Sequence, residues 1–295
     1  MTDDLKTSDL KKVGVLGCGL MGSGIAEVCA RRGLQVVVVE ADAAATERAR
    51  ERVLRSIDTA AARGKLSDGE RSLALGNLDF THDWDGFADR DIVIEAISED
   101  PAIKVAAFER LDDTVTSPDA ILASNTSSIP IMRLATATDR PGNVIGLHFF
   151  NPVPVLPLVE LVPSLMTSAG TEETAARLAS DVLGKHVIRS KDRAGFVVNA
   201  LLIPYLLSAV RMLESGFATA ADIDAGMVHG CAHPMGPLAL ADLIGLDTMI
   251  AVAESMYAEF KEPLYAPPPL LSRMVEAGLL GRKSGRGFHQ YRTSG

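Results

Sequence analysis

The stretch VGVLGCGLMG (13–22) decides the fold. VGVLG (13–17) is a compact apolar run that predicts a buried strand, and LMGSGIAEVCARRG (20–33) has helical spacing and ends at Gly33. Between them, Gly17, Gly19 and Gly22 form a G-x-G-x-x-G turn, with Leu20 and Met21 inside it. Strand, glycine turn and helix in that order are the context a dinucleotide cradle requires. Gly17 permits a tight turn, Gly19 lets the backbone approach a pyrophosphate, and Gly22 lets helix and strand pack closely. The helix start then offers free N–H groups and a positive dipole end. The plainer alternative is a glycine-rich turn with no ligand.

The pattern continues outward. QVVVVE (35–40) is apolar throughout, as in a parallel sheet covered on both faces. Glu40 ends it, 18 residues after Gly22, where an acid can bind the adenosine ribose hydroxyls. A carboxylate there repels a ribose phosphate, and no Arg appears before Arg48, so NAD(H) is expected and not NADP(H). The alternative is a solvated strand-end acid. Residues 41–66 predict one long helix, 91–97 and 120–125 further buried strands, and 101–115 a helix opened by Pro101. VIGLHFF (144–150) and LVELV (158–162) flank the Pro-rich NPVPVLP. This alternation predicts an α/β fold: a Rossmann-type, doubly wound, mostly parallel sheet with helices on both faces. After residue 192 the β-rich runs stop. The reading is an NAD-binding domain over 1–190 and a smaller all-α substrate and dimerisation domain over 191–295.

Composition bounds the function. The chain has 295 residues, 47% hydrophobic and 23% charged, which suits two globular domains. Its net charge is −9, against sequence-independent nucleic-acid binding. Cys18, Cys29 and Cys231 show neither metal spacing nor a disulfide framework, so a cytoplasmic location is expected and no metal. The N-terminal MTDDLKTSDLKK lacks an apolar core of the kind a signal peptide carries. AGFVVNALLIPYLLSAV (194–210) is uncharged but short for a membrane span, and reads as a buried core helix kinked at Pro204.

A second set of motifs is more specific: SNTSSI (124–129), GLHFFNPVPV (146–155) and LVE (158–160). With GLMGSGIA (19–26), IEAISE (94–99), GFVVNALLIPYLLSA (195–209), HPMGP (233–237), GLDT (245–248) and GRKSGRGF (281–288), the chain resembles the L-3-hydroxyacyl-CoA dehydrogenases over nearly its whole length. The bacterial 3-hydroxybutyryl-CoA branch is the nearest match. The resemblance implies an NAD-dependent oxidoreductase that interconverts (S)-3-hydroxyacyl-CoA and 3-oxoacyl-CoA, short chains in particular. It assigns the base to His148, with Glu160 fixing the imidazole. The chemistry agrees, since oxidising a secondary alcohol needs a proton acceptor while hydride leaves carbon.

The resemblance implies further residues. Ser127 bonds the substrate's 3-oxygen and contacts the cofactor; its alternative is a helix N-cap for 128–138. Ser128 is a weaker candidate. Asn199 faces the substrate's reacting end, implying a site between the domains; a buried interhelix hydrogen bond is the alternative. Glu99 and Lys104 fall near the nicotinamide-side ribose and phosphates, though Lys104 also suits a solvated helix face. Asn151 is a cofactor-side contact, or a turn residue before Pro152. Ser56 and Arg63 fall where CoA is gripped. Residues 42–65 hold six basic side chains (Arg48, Arg50, Arg52, Arg55, Arg63, Lys65) against four acids, which suits CoA phosphates or an ordinary solvated helix equally. Cys18 is filler.

Two departures stand out. Glu40 replaces the Asp of many relatives, and Pro157 replaces a basic or polar residue. Partners implied are an acyl-CoA, no nucleic acid, no membrane, and a second copy through the C-terminal domain. Two rival readings keep the fold: a dehydrogenase of free hydroxy or sugar acids, and a non-catalytic nucleotide-binding protein.

Overall fold

The computed structural model describes residues 10–291; the reading of the N-terminal segment falls largely outside that range. The chain divides into two units, the first ending at Asp192 and the second beginning at Arg193.

The first unit is an eight-stranded sheet: β1 Lys12–Leu16, β2 Gln35–Val39, β3 Leu78–Thr81, β4 Ile92–Glu95, β5 Ile121–Ser124, β6 Val144–Phe149, β7 Leu158–Pro163 and β8 His186–Arg189. The order is β3-β2-β1-β4-β5-β6-β7-β8. All neighbours pair in parallel except β6 with β7. Helices α1 Leu20–Arg31, α2 Ala43–Ala62, α3 Asp68–Gly76, α4 Pro101–Thr114, α5 Ile131–Ala135 and α6 Ala169–Arg177 connect the strands. The central strands read as continuous apolar runs because both their faces are covered. Val13, Val15, Val38, Ile92 and Ile94 are fully buried. Each such side chain contributes about 1.5–3 kcal/mol. The chain reverses its winding between β1 and β4, and such a switch point opens a crevice at the strands' carboxyl ends.

Three expectations change in detail. The long helix over 41–66 ends at Ala62, and a separate α3 follows, opened by a capping box between Ser67 and Glu70. Strand β3, at the sheet's edge, had no counterpart in the sequence reading. The helix expected over 128–138 is only Ile131–Ala135 and begins after Pro130, so Ser127 does not cap it.

The second unit is helical: α7 Val198–Glu214, α8 Ala220–Cys231, α9 Pro237–Ile244, α10 Leu246–Phe260 and α11 Pro269–Glu276. Helix α7 runs through Pro204 without ending there. It is not buried on all sides: Ile203, Leu206, Leu207 and Val210 are inside, but Leu201 is 74% exposed. No helix among the described residues is long and apolar enough to cross a membrane.

Two buried carboxylates tie the end of the chain to these helices. Asp242, on α9, accepts the N–H groups of Phe288 and His289 and the hydroxyl of Tyr291. Asp224, on α8, accepts the N–H groups of Leu238 and Ala239 and bonds His289 Nε2 at 2.8 Å. Asp242→Ala orphans three donors at once. The expected cost is about 3 kcal/mol, read in a thermal melt as a fall of roughly 10 °C. An unchanged melt would show that this tether adds nothing.

Candidate active site

The sheet's carboxyl edge gathers the candidate residues of the first unit. Gly17 follows β1 with φ +81°, a backbone that a side chain would strain. A Cβ on Gly22 would lie 1.9 Å from the Gly17 carbonyl oxygen, so only glycine lets α1 approach the turn. A Cβ on Gly19 would meet no protein atom within 4 Å. It would project into the open space over the turn. These three positions fit a cradle for NAD: two are required by the chain itself, and the third leaves room for a pyrophosphate. Leu20 is 66% exposed beside that space, and Met21 packs on the core.

Glu40 lies just beyond β2. Its Oε1 accepts the Cys18 N–H at 2.6 Å, so it is tied to the glycine turn and is not a freely solvated acid. That bond holds the carboxylate beside the glycine turn. Arg52, from α2, donates to the Cys18 carbonyl at 2.6 Å. The sequence reading placed no cation near this turn, because Arg52 lies 34 residues away along the chain. Its guanidinium is bonded to a backbone oxygen. Burial, with Glu40 close by, pushes the Cys18 thiol up to about 12, which keeps it protonated and unreactive.

Strands β6 and β7 place the acid–base pair. In their antiparallel register His148 stands directly opposite Glu160, so both side chains leave the same face. His148 is 4% exposed and Glu160 fully buried. Nδ1 of His148 lies 2.7 Å from Glu160 Oε2, and Nε2 lies 3.0 Å from Ser127 Oγ. A carboxylate only accepts, so Nδ1 carries the proton and Nε2 turns its lone pair toward Ser127. The Phe150 ring leans over the imidazole at 4.6 Å between centroids.

Ser127 is half-buried in the turn after β5. Oε1 of Glu99 accepts the N–H groups of Ser127 and Ser128 and the hydroxyls of Thr126 and Ser128. Burial opposes the charged form of Glu99. Lys104 and these donors outweigh it and hold the carboxyl below its ordinary range. Lys104 is 1% exposed, which overturns its solvated-face reading; its Nζ lies 2.6 Å from Glu95 and 3.2 Å from Glu99. Glu95 and Asn125 were missed. Asn125 Oδ1 accepts the Phe149 N–H at 2.9 Å and so joins the Ser127 turn to the His148 strand. Asn151 is exposed at the start of the loop that follows.

That loop is held from below. Lys185 donates to the carbonyls of Val153 and Leu156 at 2.6 and 2.8 Å. Above it opens a cavity of about 800 Å³, walled by Pro152, Pro154 and Val155 on one side and by α2 on the other. Of the six basic residues noted in 42–65, Arg48, Arg52, Arg55, Arg63 and Lys65 line it. Arg50 instead packs over Phe80. Ser56 also lines the cavity, but its hydroxyl donates to Glu27 at 2.6 Å, so its proton is already committed. Asn199 sits in the first turn of α7 and belongs to the second unit.

Known proteins match this arrangement. A model of the 3-hydroxyacyl-CoA dehydrogenase NAD-binding domain covers residues 12–193, and one of the C-terminal domain of the same enzymes covers 195–291. A 3-hydroxybutyryl-CoA dehydrogenase of Mycobacterium tuberculosis is 58% identical, over 96% of this chain and 99% of its own length. The mitochondrial hydroxyacyl-coenzyme A dehydrogenase of Sus scrofa is 39% identical, over 96% and 92%. The crystal structure of (S)-3-hydroxybutyryl-CoA dehydrogenase from Ralstonia eutropha superposes with a TM-score of 0.91 at 45% identity, covering 96% of this chain and 100% of that one.

Proposed function

The chain belongs to the 3-hydroxyacyl-CoA dehydrogenase family, and from that membership we propose that it interconverts (S)-3-hydroxybutyryl-CoA and acetoacetyl-CoA with NAD(H). One observation carries the reading: Ser127, His148 and Glu160 form a single hydrogen-bonded chain at the sheet's carboxyl edge. Bound over the glycine turn, NAD supplies the hydride acceptor. His148 Nε2 takes the C3-hydroxyl proton through the lone pair now directed at Ser127. Glu160 holds the proton on Nδ1 and steadies the imidazolium that forms. Ser127 orients the substrate oxygen, and Asn199 is assigned the same task. Glu40 binds the adenosine ribose. Glu99 and Asn151 stand on the nicotinamide side, with Lys104 acting there through Glu99. Reduction runs these steps backward and needs His148 protonated, so acid favours 3-hydroxyacyl formation.

The cavity beside α2 suits coenzyme A, because six of the side chains lining it are cations, against the two acids Glu27 and Glu51, on a chain of net charge −9. Arg63 is the proposed phosphate contact. Ser56, committed to Glu27, serves as wall. The first test compares initial rates of NADH oxidation with acetoacetyl-CoA and with free acetoacetate at equal concentration. A fast rate on the thioester alone supports the reading; equal rates, or none, would sink it. Arg63→Ala is expected to raise KM for acetoacetyl-CoA about tenfold and leave kcat within about twofold, since it removes one charged contact remote from the reacting carbon. An unchanged KM would remove Arg63 from the site.

The proposed setting is the cytoplasm, with two copies joined through their helical units. Leu201 and Phe217 are 74% and 79% exposed there. An apolar groove of about 330 Å³ also opens in this unit between α7 and α8, lined by Tyr205, Met212, Ile223 and Met227. A second copy would cover this face.

A further inference from the structure

Glu95 ends β4 and is fully buried, though nothing in the reaction described so far uses it. Its Oε1 accepts the Ile97 N–H at 2.7 Å and Lys104 Nζ at 2.6 Å; its Oε2 accepts the Ser124 hydroxyl at 2.6 Å. Lys104 continues to Glu99, which gathers the far end of the same turn. The bonds close a ring. Ser124 begins the turn and hangs from Glu95; Ser127 and Ser128 end it and hang from Glu99; Lys104 joins the two acids. The five-residue segment that carries Ser127 is thus fixed at both ends, with the Ser127 Oγ 3.0 Å from His148 Nε2.

A carboxylate and an ammonium buried together, Glu95 with Lys104, are a poor device for stability, because desolvation offsets most of their attraction, and the second acid, Glu99, is partly open to solvent. A fully bonded ring does define one geometry. We propose that Glu95 is a positioning residue for the dehydrogenase reaction, setting the Ser127 hydroxyl on the His148–substrate axis through Ser124 on one side and Lys104 and Glu99 on the other. This rests on the reading of Ser127 and His148 as reaction partners. With Gln at position 95, Lys104 keeps one charged partner and is drawn to Glu99, so the turn shifts by a fraction of an ångström. Misplacement on that scale at a reacting centre lowers turnover without weakening remote binding.

The test is Glu95→Gln, alone and combined with Ser127→Ala. The single variant is expected to lose about tenfold to a hundredfold in kcat on acetoacetyl-CoA, with KM and the NADH dissociation constant from fluorescence each within about threefold. In the Ser127→Ala background the same change should cost less than about twofold, because its target is gone. Equal losses in both backgrounds, or a loss of NADH binding in step with kcat, would overturn the proposal. Ser124→Ala leaves no unpaired charge and covers the case in which Glu95→Gln does not fold; it should show the same non-additivity, more weakly. The ¹⁵N shift of His148 Nε2 needs no substrate. It should move on Glu95→Gln toward its value in Ser127→Ala, whichever substrate the protein proves to take. An unmoved shift would overturn the inference and leave the proposed activity standing.

Discussion

His148→Ala is expected to lower kcat with acetoacetyl-CoA by about a thousandfold while the dissociation constant for NADH stays within about twofold. The size follows from what the ring does. General acid–base help contributes about 10²- to 10⁴-fold. Here Nδ1, anchored at 2.7 Å to the buried Glu160, holds Nε2 toward Ser127 in one orientation. Alanine removes both the proton acceptor and the hydrogen-bond partner of Glu160 at Nδ1. Glu40 bonds the glycine turn and Glu99 bonds the backbone of the Ser127 turn, each independently of the imidazole, so cofactor binding should persist. Steady-state rates and a fluorescence titration on one preparation check both halves. A variant turning over at the parent rate would remove His148 from the mechanism; one that no longer binds NADH would make it a structural residue.

Gly22→Ala is expected to weaken NADH binding at least about a hundredfold and to destabilise the protein by about 3 kcal/mol. The new methyl carbon would sit 1.9 Å from the Gly17 carbonyl oxygen, a backbone atom that cannot step aside like a flexible side chain. Either α1 tilts away or the turn opens, and each movement takes the helix's first N–H groups off the phosphate position. Gly19→Ala separates the two effects. Its methyl meets nothing in the chain, so the melt should stay within about 2 °C of the parent while NADH binding still weakens. A melt by calorimetry and a titration for each variant decide the matter. If Gly22→Ala binds NADH normally, the turn is not the cradle.

Much of this was readable in the residues because its signals are local. Gly17, Gly19 and Gly22 between an apolar strand and a helix make a motif whose spacing carries its own geometry. His148 and Glu160 stand in two short strands joined by a Pro-rich loop, and a hairpin register then sets them face to face. What escaped reading was tertiary. Glu95 looks like a strand-end acid until α4 brings Lys104 over it. Arg52 looks like one of several solvated arginines until α2 folds back across the turn. Ser67-x-x-Glu70 is a legible capping box just past the helix expected over 41–66, and α3 behind it went unread. The polar pair Ser124 and Ser127 shows the same limit: each has an ordinary local use, and only the closed ring of acids and lysine gives them a joint one.

The lysine beneath the loop after β6 has a consequence for how such a protein can change. Lys185 grips main-chain oxygens, those of Val153 and Leu156, and reads no side chain of the segment it secures. Every amino acid presents the same carbonyl. Pro154 and Val155, which wall the cavity, can therefore be exchanged without unfastening the strap that holds them. Residues 154–157 are in that sense a replaceable cassette on a permanent hinge pin. Selection, or a combinatorial library, can recut this wall of the cavity beside α2 while leaving the imidazole and its carboxylate in register.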